Sequence, residues 1–178
     1  GAGIERLKKA RVKTDVGCLD DFARQVNAGF LSRINDGRPL VAWKTATTLD
    51  GKIAGIGHNR WISGQAARAR GHLLRARFDA ILTGMGTLMA DDPQLTCRLP
   101  GLEDRSPIRV LMVGERPLPE KHKLLATGRE TPTWVYQVLE ETTNTKALQL
   151  GDGVEVIPIT GNIRPDPRAV LADLANRG

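Results

Sequence analysis

The chain has 178 residues, of which 40% are hydrophobic and 26% are charged, and its formal net charge is +6 at pH 7. This length suits one domain with a substantial core, and no apolar run approaches the roughly 18–20 residues that a membrane-spanning helix needs. The positive charge favours anionic ligands, but aromatic residues make up only 4% of the chain and leave few side chains on which nucleobases can stack. Small phosphorylated ligands are therefore favoured over nucleic acid, and no contact with a membrane is expected.

The cysteines and histidines show no spacing typical of a disulfide framework or a metal site. Cys18 and Cys97 lie far apart, and His58, His72 and His122 are isolated from one another. We therefore expect no metal centre in this chain. The N-terminal residues lack the apolar core of a secretory signal, and the protein is accordingly predicted to be cytoplasmic.

The first part of the chain is predicted to contain one long amphipathic helix. A basic lead-in occupies residues 1–17, and residues 19–34 then carry apolar side chains at i, i+3 and i+4 spacing. Residues 35–39 contain the glycine and proline that break this helix. Residues 40–43 are predicted to form a strand, which leads into the more polar segment 44–53.

Residues 79–98 are the most informative stretch of the sequence. A buried strand over residues 80–83 is predicted to turn at Gly84 and Gly86 into a helix that Pro93 stops. A helix N-terminus that follows a strand in this way presents unpaired backbone N–H groups to an anion. Glycines are also common at such turns for steric reasons alone, and Gly-x-Gly is weaker than a full dinucleotide-binding fingerprint. Both interpretations stay open at this point.

Charged side chains follow this motif. Asp91, Asp92 and Arg98 lie within reach of the same sheet edge, which favours a phosphorylated, hydroxyl-rich ligand. Upstream, a helix over residues 65–78 is predicted to be capped by Ser63. Its basic side chains are expected to form a face that is mostly solvated.

The remaining chain alternates strands and helices. Strands are predicted at residues 108–113, 133–138 and 154–159, a weak helix at residues 139–150, and a final helix at residues 167–176. This alternation predicts an α/β fold with a mostly parallel central sheet flanked by helices. Because no strand follows the last strand–helix unit, the sheet is expected to lack its C-terminal strands in this chain.

Three groups of residues occur in the order and spacing of a known enzyme family. They are Lys44-x-Ala46-x-x-Leu49-Asp50-Gly51-Lys52-Ile53-Ala54, then Arg60-Trp61-Ile62-Ser63, and then Arg75-Ala76-x-x-Asp79-Ala80-Ile81-Leu82-x-Gly84-x-Gly86-Thr87-x-x-Ala90-Asp91-Asp92-Pro93-x-Leu95-Thr96-x-Arg98. With these motifs the chain resembles the reductase domain of the bifunctional riboflavin-biosynthesis deaminase/reductase, most densely over residues 39–113. Residues 1–34 resemble the segment that joins the deaminase to the reductase, and residues 114–178 match only in their strand–helix rhythm.

The resemblance implies a dihydrofolate-reductase-like fold and NADPH as the hydride donor. The substrate would be 5-amino-6-(5-phosphoribosylamino)uracil, reduced at ribose C1′ to 5-amino-6-(5-phosphoribitylamino)uracil. It also implies a parent protein with a covalently linked, zinc-dependent pyrimidine deaminase, whose signature is not found in this chain. Residues 1–38 would then be a linker and docking helix, and residues 39–178 a C-terminally incomplete reductase domain.

The resemblance also assigns site residues. Contacts to the cofactor are expected from Ala46, Trp61, Gly86, Thr87 and Asp91. Contacts to the substrate are expected from Asn59, Arg75, Leu95 and Arg98, and Lys44 is a candidate for a proton donor near C1′. The two arginines suit a bidentate grip on the ribose phosphate.

Several of these assignments have a purely structural alternative. Trp61 is also compatible with a half-buried core position, and Arg75 with an exposed charge on a basic helix. Arg98 could equally form an ion pair with Asp91 or Asp92. These alternatives stay open in the sequence.

Two positions depart from the family pattern. Asn59 stands where the family usually has a serine that contacts substrate, and Val113-Gly114 stands where an Asp-Ser pair is common. These departures leave open a dihydrofolate-reductase-like enzyme for another pterin or pyrimidine substrate. The expected truncation and the basic charge leave open a non-catalytic phosphate- or nucleotide-binding module. The sequence also leaves open whether the chain forms a homo-oligomer.

Overall fold

In the computed structural model, a four-stranded parallel sheet forms the centre of the fold. The strands are β1 (Ala80–Gly84), β2 (Ile108–Val113), β3 (Thr133–Val138) and β4 (Val154–Ile159), and they lie side by side in sequence order. The structure describes residues 1–53, 62–118, 121–139, 152–159 and 162–178. The predicted α/β fold with a parallel sheet is confirmed, as are the four predicted strands from residue 80 onwards.

Helices precede, separate and follow these strands along the chain. Within the described ranges they are α1 (Ala2–Lys9), α2 (Asp20–Val26), α3 (Ala28–Asp36), α4 (Gln65–Arg77), α5 (Met85–Asp91), α6 (Lys123–Ala126) and α7 (Pro167–Arg177). None of these described helices is long and apolar enough to cross a membrane. The chain divides into two compact units, one formed by Gly1–Ala42 with Ala172–Gly178 and the other by Trp43–Leu171.

The core of the second unit is built on β2 and β3. Val110, Leu111, Val113 and Val135 are fully buried. Strands of a parallel sheet are covered on both faces, which explains why they can be recognised as short continuous apolar runs. The buried core cluster consists of Leu88, Leu95, Leu111, Val113, Leu124, Leu125, Val135 and Val154. Burial of each large apolar side chain of this kind stabilises the fold by roughly 1.5–3 kcal/mol.

A fully buried arginine lies at the amino end of β2. The Arg109 guanidinium donates hydrogen bonds to the Thr131 carbonyl (2.6 Å), the Thr127 hydroxyl (2.8 Å) and the Thr127 carbonyl (2.9 Å), and a longer one to the Gln94 carbonyl (3.4 Å). Burial lowers the pKa of Arg109 to about 10, so the side chain is still charged at neutral pH. Arg109 therefore ties the turn after α6 to the sheet.

Two glycine turns lie against each other beside β3 and β4. A Cβ atom on Gly153, whose φ is +79°, would lie 2.2 Å from the Gly128 carbonyl oxygen. A Cβ atom on Gly128 would lie 2.4 Å from Cγ2 of Val154 and 2.9 Å from the Asp152 carbonyl oxygen. The Gly153 carbonyl also accepts the backbone N–H of Thr133 at 2.9 Å. Glycine is therefore required at both positions.

The single helix predicted over residues 19–34 is wrong, because α2 and α3 are separate helices. Asn27 lies between them with φ −100°, and its Nδ2 donates to the Ala23 carbonyl at 2.8 Å. An asparagine side chain that bonds the backbone competes with helix continuation, which explains the break. The Arg33 Nε atom then donates to the Ala175 carbonyl at 2.9 Å and links α3 to the end of α7.

Two other sequence predictions are corrected. Residues 40–43 form no strand, and Trp43 is 90% exposed, because an apolar run becomes a strand only where it finds a pairing partner. Ser63 does not cap α4: Gly64 takes the N-cap position, and the Ser63 carbonyl accepts a hydrogen bond from Arg68 Nη1 at 2.5 Å. The helix predicted over residues 139–150 lies outside the described residues except at its first position.

Candidate ligand-binding site

The helix that follows β1 offers a small and polar surface. β1 runs directly into α5, since Gly84 takes the N-cap position with an extended backbone. Leu88 is fully buried in the core, whereas Gly86, Thr87 and Asp91 are exposed. Thr87 and Asp91 are one helical turn apart and therefore share a face. The structure thus brings three of the predicted cofactor contacts together on α5.

The expected sharp glycine turn at this junction is wrong. Gly84 is extended with φ −106°, Gly86 lies in the first turn of α5, and a Cβ atom on either glycine would meet no atom of the described residues within 4 Å. Glycine inside a helix costs about 0.5–1 kcal/mol relative to alanine. Neither backbone conformation nor packing among the described residues explains Gly86, and the open space over it suits the close approach of a ligand.

Asp92 ends α5 and binds the start of α6. It adopts the left-handed conformation with φ +41°, and its Oδ1 accepts the backbone N–H of Lys123 at 2.8 Å and lies 3.2 Å from Nδ1 of His122. The Lys123 ammonium lies 3.3 Å from Oδ2. The hydrogen bond from the Lys123 backbone is the main reason that the pKa of Asp92 lies below its ordinary value of 3.8. Asp92 is thus a structural residue, while its neighbour Asp91 stays exposed.

Leu95 fixes the loop that follows. Its φ of +58° is left-handed, a conformation that costs a side chain such as leucine about 1–2 kcal/mol. The side chain is only 8% exposed and belongs to the core cluster, which holds the residue in this conformation. Leu95 is a predicted substrate contact, and its side chain is taken up by the core cluster.

Two arginines from different elements meet at Thr96. Arg75, in the last turn of α4, donates from Nη1 to the Thr96 carbonyl at 2.9 Å. Arg98 donates from Nη1 to the Thr96 hydroxyl at 3.5 Å and to Oε1 of Gln94 at 3.2 Å. Burial, and next the charge of Arg98, lower the pKa of Arg75. We call Arg75 and Arg98 the arginine pair.

The arginine pair has unused capacity for an anion. Among the described residues neither guanidinium is joined to a carboxylate, and Asp92 binds His122 and Lys123 rather than Arg98. The alternative ion pair between Arg98 and Asp92 is therefore wrong, and Arg75 is partly buried rather than a fully exposed charge. Two neighbouring cations without a counter-ion suit a dianionic group such as a phosphate.

A third member of this cluster, His72, is not among the site residues predicted from the sequence. Nδ1 of His72 accepts the backbone N–H of Arg98 at 3.1 Å. Burial, then the charges of Arg75 and Arg98, lower the pKa of His72 below its ordinary value of 6.5. The sequence shows only that His72 and Arg75, spaced i, i+3 on a predicted helix, share a face; it does not show the contact with Arg98, 26 residues away.

The remaining predicted site residues are not brought to this cluster by any described contact. Lys44 is exposed and has no hydrogen-bond or ion-pair partner among the described residues, and Ala46 is half-buried. They precede a turn in which the Gly51 N–H donates to the Thr48 carbonyl at 3.0 Å. Asn59 and Trp61 lie outside the described residues.

The departure from the family pattern at Gly114 has a local reason. Gly114 follows β2, and a Cβ atom there would lie 2.2 Å from the Ile163 carbonyl oxygen. The chain around residues 163–164 therefore occupies the room that a side chain would need. Gly114 can present only its backbone to a ligand at this end of the sheet.

These features define an α/β domain with a parallel sheet, a polar helix face after β1, and an arginine pair at Thr96 that meets no carboxylate among the described residues. Residues 39–178 match the model of the RibD C-terminal domain family. The chain belongs to the RibD C-terminal domain family, and the resemblance predicted from its motifs is confirmed.

Individual relatives agree with this family. A riboflavin biosynthesis protein RibD from Aquifex aeolicus is 37% identical over 163 residues, which cover 90% of this chain and 44% of that protein. RibD from Mycobacterium tuberculosis is 43% identical over 132 residues, 70% of this chain and 38% of that protein. The crystal structure of a diaminohydroxyphosphoribosylaminopyrimidine deaminase/5-amino-6-(5-phosphoribosylamino)uracil reductase from Thermotoga maritima matches with a TM-score of 0.80 at 28% identity, over 99% of this chain and 47% of that one. The chain thus spans less than half the length of these relatives.

Proposed function

We propose that the chain is the reductase part of a riboflavin-biosynthesis protein and converts 5-amino-6-(5-phosphoribosylamino)uracil to 5-amino-6-(5-phosphoribitylamino)uracil with NADPH. The family and the reductase activity of the Thermotoga maritima protein support this reaction. The structural observation that carries the proposal is the arginine pair, which meets at Thr96 without a carboxylate among the described residues. Such a pair matches the phosphate that both substrate and product retain.

The arginine pair binds the substrate phosphate in this proposal. Arg75 is already held by the Thr96 carbonyl, so little side-chain freedom is lost when a ligand arrives. Arg98 is exposed and can turn its planar guanidinium towards two phosphate oxygens. Phosphate binding at this point fixes the far end of the ribose chain and leaves C1′ to be positioned by the remaining contacts.

The exposed face of α5 fits the proposed cofactor. NADPH supplies a hydride to the substrate when it is bound. Gly86 leaves room for close approach, Thr87 offers a hydroxyl group near the positive end of the helix, and Asp91 can accept hydrogen bonds from sugar hydroxyls. Ala46 and Trp61 complete the proposed cofactor contacts.

The remaining proposed roles concern the reacting end of the substrate. Reduction of the ring-opened imine adds a hydride to C1′ and a proton to the adjacent nitrogen, and Lys44 is the proposed donor of that proton. Asn59, whose amide both donates and accepts hydrogen bonds, and the main chain of Leu95 would orient the substrate. The protein contributes mainly position and electrostatics.

The N-terminal part has a separate role in this proposal. Residues 1–38 would connect residues 39–178 to a covalently linked deaminase domain in the cytoplasm. The apolar side chains of Phe22, Val26, Phe30 and Ile34 on α2 and α3 are 63–67% exposed and would provide a docking surface for that domain.

The reaction is tested with the 178-residue chain, NADPH and 5-amino-6-(5-phosphoribosylamino)uracil, and by following the loss of NADPH absorbance. Arg98→Ala is expected to raise KM for the substrate by roughly 10–100-fold, because about 1.5–3 kcal/mol of charge-assisted hydrogen bonding is lost. Arg70→Ala, an exposed arginine on the same basic helix α4, is the matched control and is expected to leave KM unchanged.

Other results would contradict the proposal. NADPH binding without oxidation would identify a nucleotide-binding module. Oxidation with dihydrofolate but not with the ribosylaminouracil would identify a reductase for another pterin or pyrimidine, which the unusual residues Asn59 and Gly114 keep as the second candidate.

A further inference from the structure

We propose that His72 is a positioning residue for the arginine pair, and that its imidazole fixes the backbone from which Arg98 reaches the substrate phosphate. This inference rests on the proposed function for the identity of the ligand. The contact that carries it joins Nδ1 of His72 to the backbone N–H of Arg98, at 3.1 Å.

One face of α4 holds three consecutive residues of the loop. Arg75 donates to the Thr96 carbonyl at 2.9 Å, His72 accepts the Arg98 N–H, and the His72 carbonyl lies 3.5 Å from Sγ of Cys97. Cys97 is itself 2% exposed. Thr96, Cys97 and Arg98 are therefore each hydrogen-bonded to α4, and His72 supplies the contact at Arg98.

The contact requires a neutral imidazole. Nδ1 can accept a hydrogen bond only while it carries no proton, so the ring must be the tautomer protonated at Nε2. The described groups that act on the ring are Arg75 from α4, and Arg98 and the Thr96 carbonyl from the loop. Burial, and next the charges of Arg75 and Arg98, lower the pKa of His72, and the Thr96 carbonyl opposes them. The imidazole of His72 is thus uncharged at pH 7.

Protonation would reverse this arrangement. An imidazolium would point an N–H at the backbone N–H of Arg98 and add a third cation to the arginine pair. The hydrogen bond from the Arg98 N–H to His72 would be lost, and the backbone of Arg98 would no longer be held in place. The position of the guanidinium, rather than its charge, is what His72 controls.

The test compares two substitutions of His72. In His72→Asn the side-chain Oδ1 takes a place like that of Nδ1 and can still accept, without titrating, whereas His72→Phe keeps a ring of similar shape but removes the acceptor. His72→Phe is expected to raise KM for the phosphorylated substrate about tenfold, equivalent to about 1.4 kcal/mol, with kcat within about twofold. His72→Asn is expected to restore KM to within about threefold of the parent.

Two further readouts separate positioning from a general structural effect. Ribose 5-phosphate affinity, measured by calorimetry, is expected to fall in His72→Phe and to persist in His72→Asn, while affinity for NADPH is unchanged in both. On acidification below pH 6.5, the ordinary histidine pKa, the parent is expected to lose ribose 5-phosphate affinity more steeply than His72→Asn. Both proteins bind the same phosphate, so the difference between them reports the imidazole alone.

His122→Phe, a histidine that faces Asp92 instead, is the matched control and is expected to leave ribose 5-phosphate affinity unchanged. The inference is overturned if His72→Phe lowers kcat with KM unchanged, if His72→Asn gives no rescue, or if the pH profiles of parent and His72→Asn coincide. If the parent binds ribose 5-phosphate through His72 but does not turn over the ribosylaminouracil, the proposed function fails and the positioning role stands. If the parent does not bind ribose 5-phosphate, the positioning role fails.

Discussion

Replacement of Arg109 by methionine tests whether the buried arginine stabilises the sheet. Methionine fills most of the space of the side chain but donates no hydrogen bond, so the Thr131 carbonyl, Thr127 carbonyl and Thr127 hydroxyl all lose a charged donor at 2.6–2.9 Å. The Thr127 carbonyl keeps the N–H groups of Glu130 and Thr131, and the Thr131 carbonyl keeps the Thr133 hydroxyl, so neither carbonyl is left without a partner. Each lost hydrogen bond from a charged donor costs about 1.5–3 kcal/mol, which for these three bonds gives a gross loss of about 4.5–9 kcal/mol. Part of this loss is offset, because the variant no longer buries a charged group, and burial of a charge is unfavourable.

The expected net result is a loss of about 2–4 kcal/mol in the free energy of unfolding. Urea unfolding followed by circular dichroism measures it, and thermal unfolding should show a decrease of roughly 2–4 °C for each kcal/mol. Arg129→Met, at an exposed arginine in the same turn, is the matched control and should change stability by less than about 0.5 kcal/mol. If Arg109→Met is as stable as the parent, the cost of burying the charge equals the value of its hydrogen bonds, and the reasoning is refuted.

Three further substitutions probe the loop and the turns. The pKa of Asp92 lies below 3.8, so the stabilising effect of its carboxylate is present above pH 3.8 and is lost as the pH falls through the folded-state pKa. Asp92→Asn should therefore lower the thermal midpoint at pH 7 and make that midpoint fall less steeply in acid. Asp91→Asn, the control, should do neither. Gly128→Ala should lower the free energy of unfolding in urea by about 1–3 kcal/mol, because the new methyl group collides with Val154, and an unchanged value would contradict the close packing. Gly86→Ala should raise the free energy of unfolding by about 0.5–1 kcal/mol, because alanine is the better helix former. It should also weaken NADPH binding in a calorimetric titration, and an unchanged affinity would contradict the proposed cofactor contact on α5.

The strands were predictable because their signal is local. β2, β3 and β4 are six-residue strands rich in apolar side chains and bounded by polar or turn-forming residues, so the pattern needs no knowledge of neighbours. Most side chains of β2 and β3 are buried, whereas Glu155 and Pro158 of β4 are exposed. The run at residues 40–43 has a similar composition, yet it forms no strand. Pairing depends on a partner elsewhere in the chain, and composition does not report whether that partner is present.

The residue types of the candidate site could be predicted from the sequence, but the contacts that hold those residues in place could not. The motifs pointed to Arg75 and Arg98, and the structure shows that both contact Thr96, Arg75 from α4 and Arg98 from the same loop as Thr96. The role of His72 depends on a loop that returns to the helix after 26 residues, which no local pattern encodes. Arg109 was equally hidden, because an arginine in a strand is usually placed at the surface, and only the fold shows that backbone carbonyls surround it.

The order of the strands bears on how the chain acquires its fold. Each strand from β2 to β4 pairs with the strand that precedes it in the sequence, and none is inserted between two others. When such a chain is synthesised from its N-terminus, every new strand finds an edge that has already been made, and no strand has to wait for a later one. β1 can therefore act as the template on which the described strands add in one direction, so that damage to β1 should delay β2 to β4, whereas damage to β4 should delay only the addition of β4.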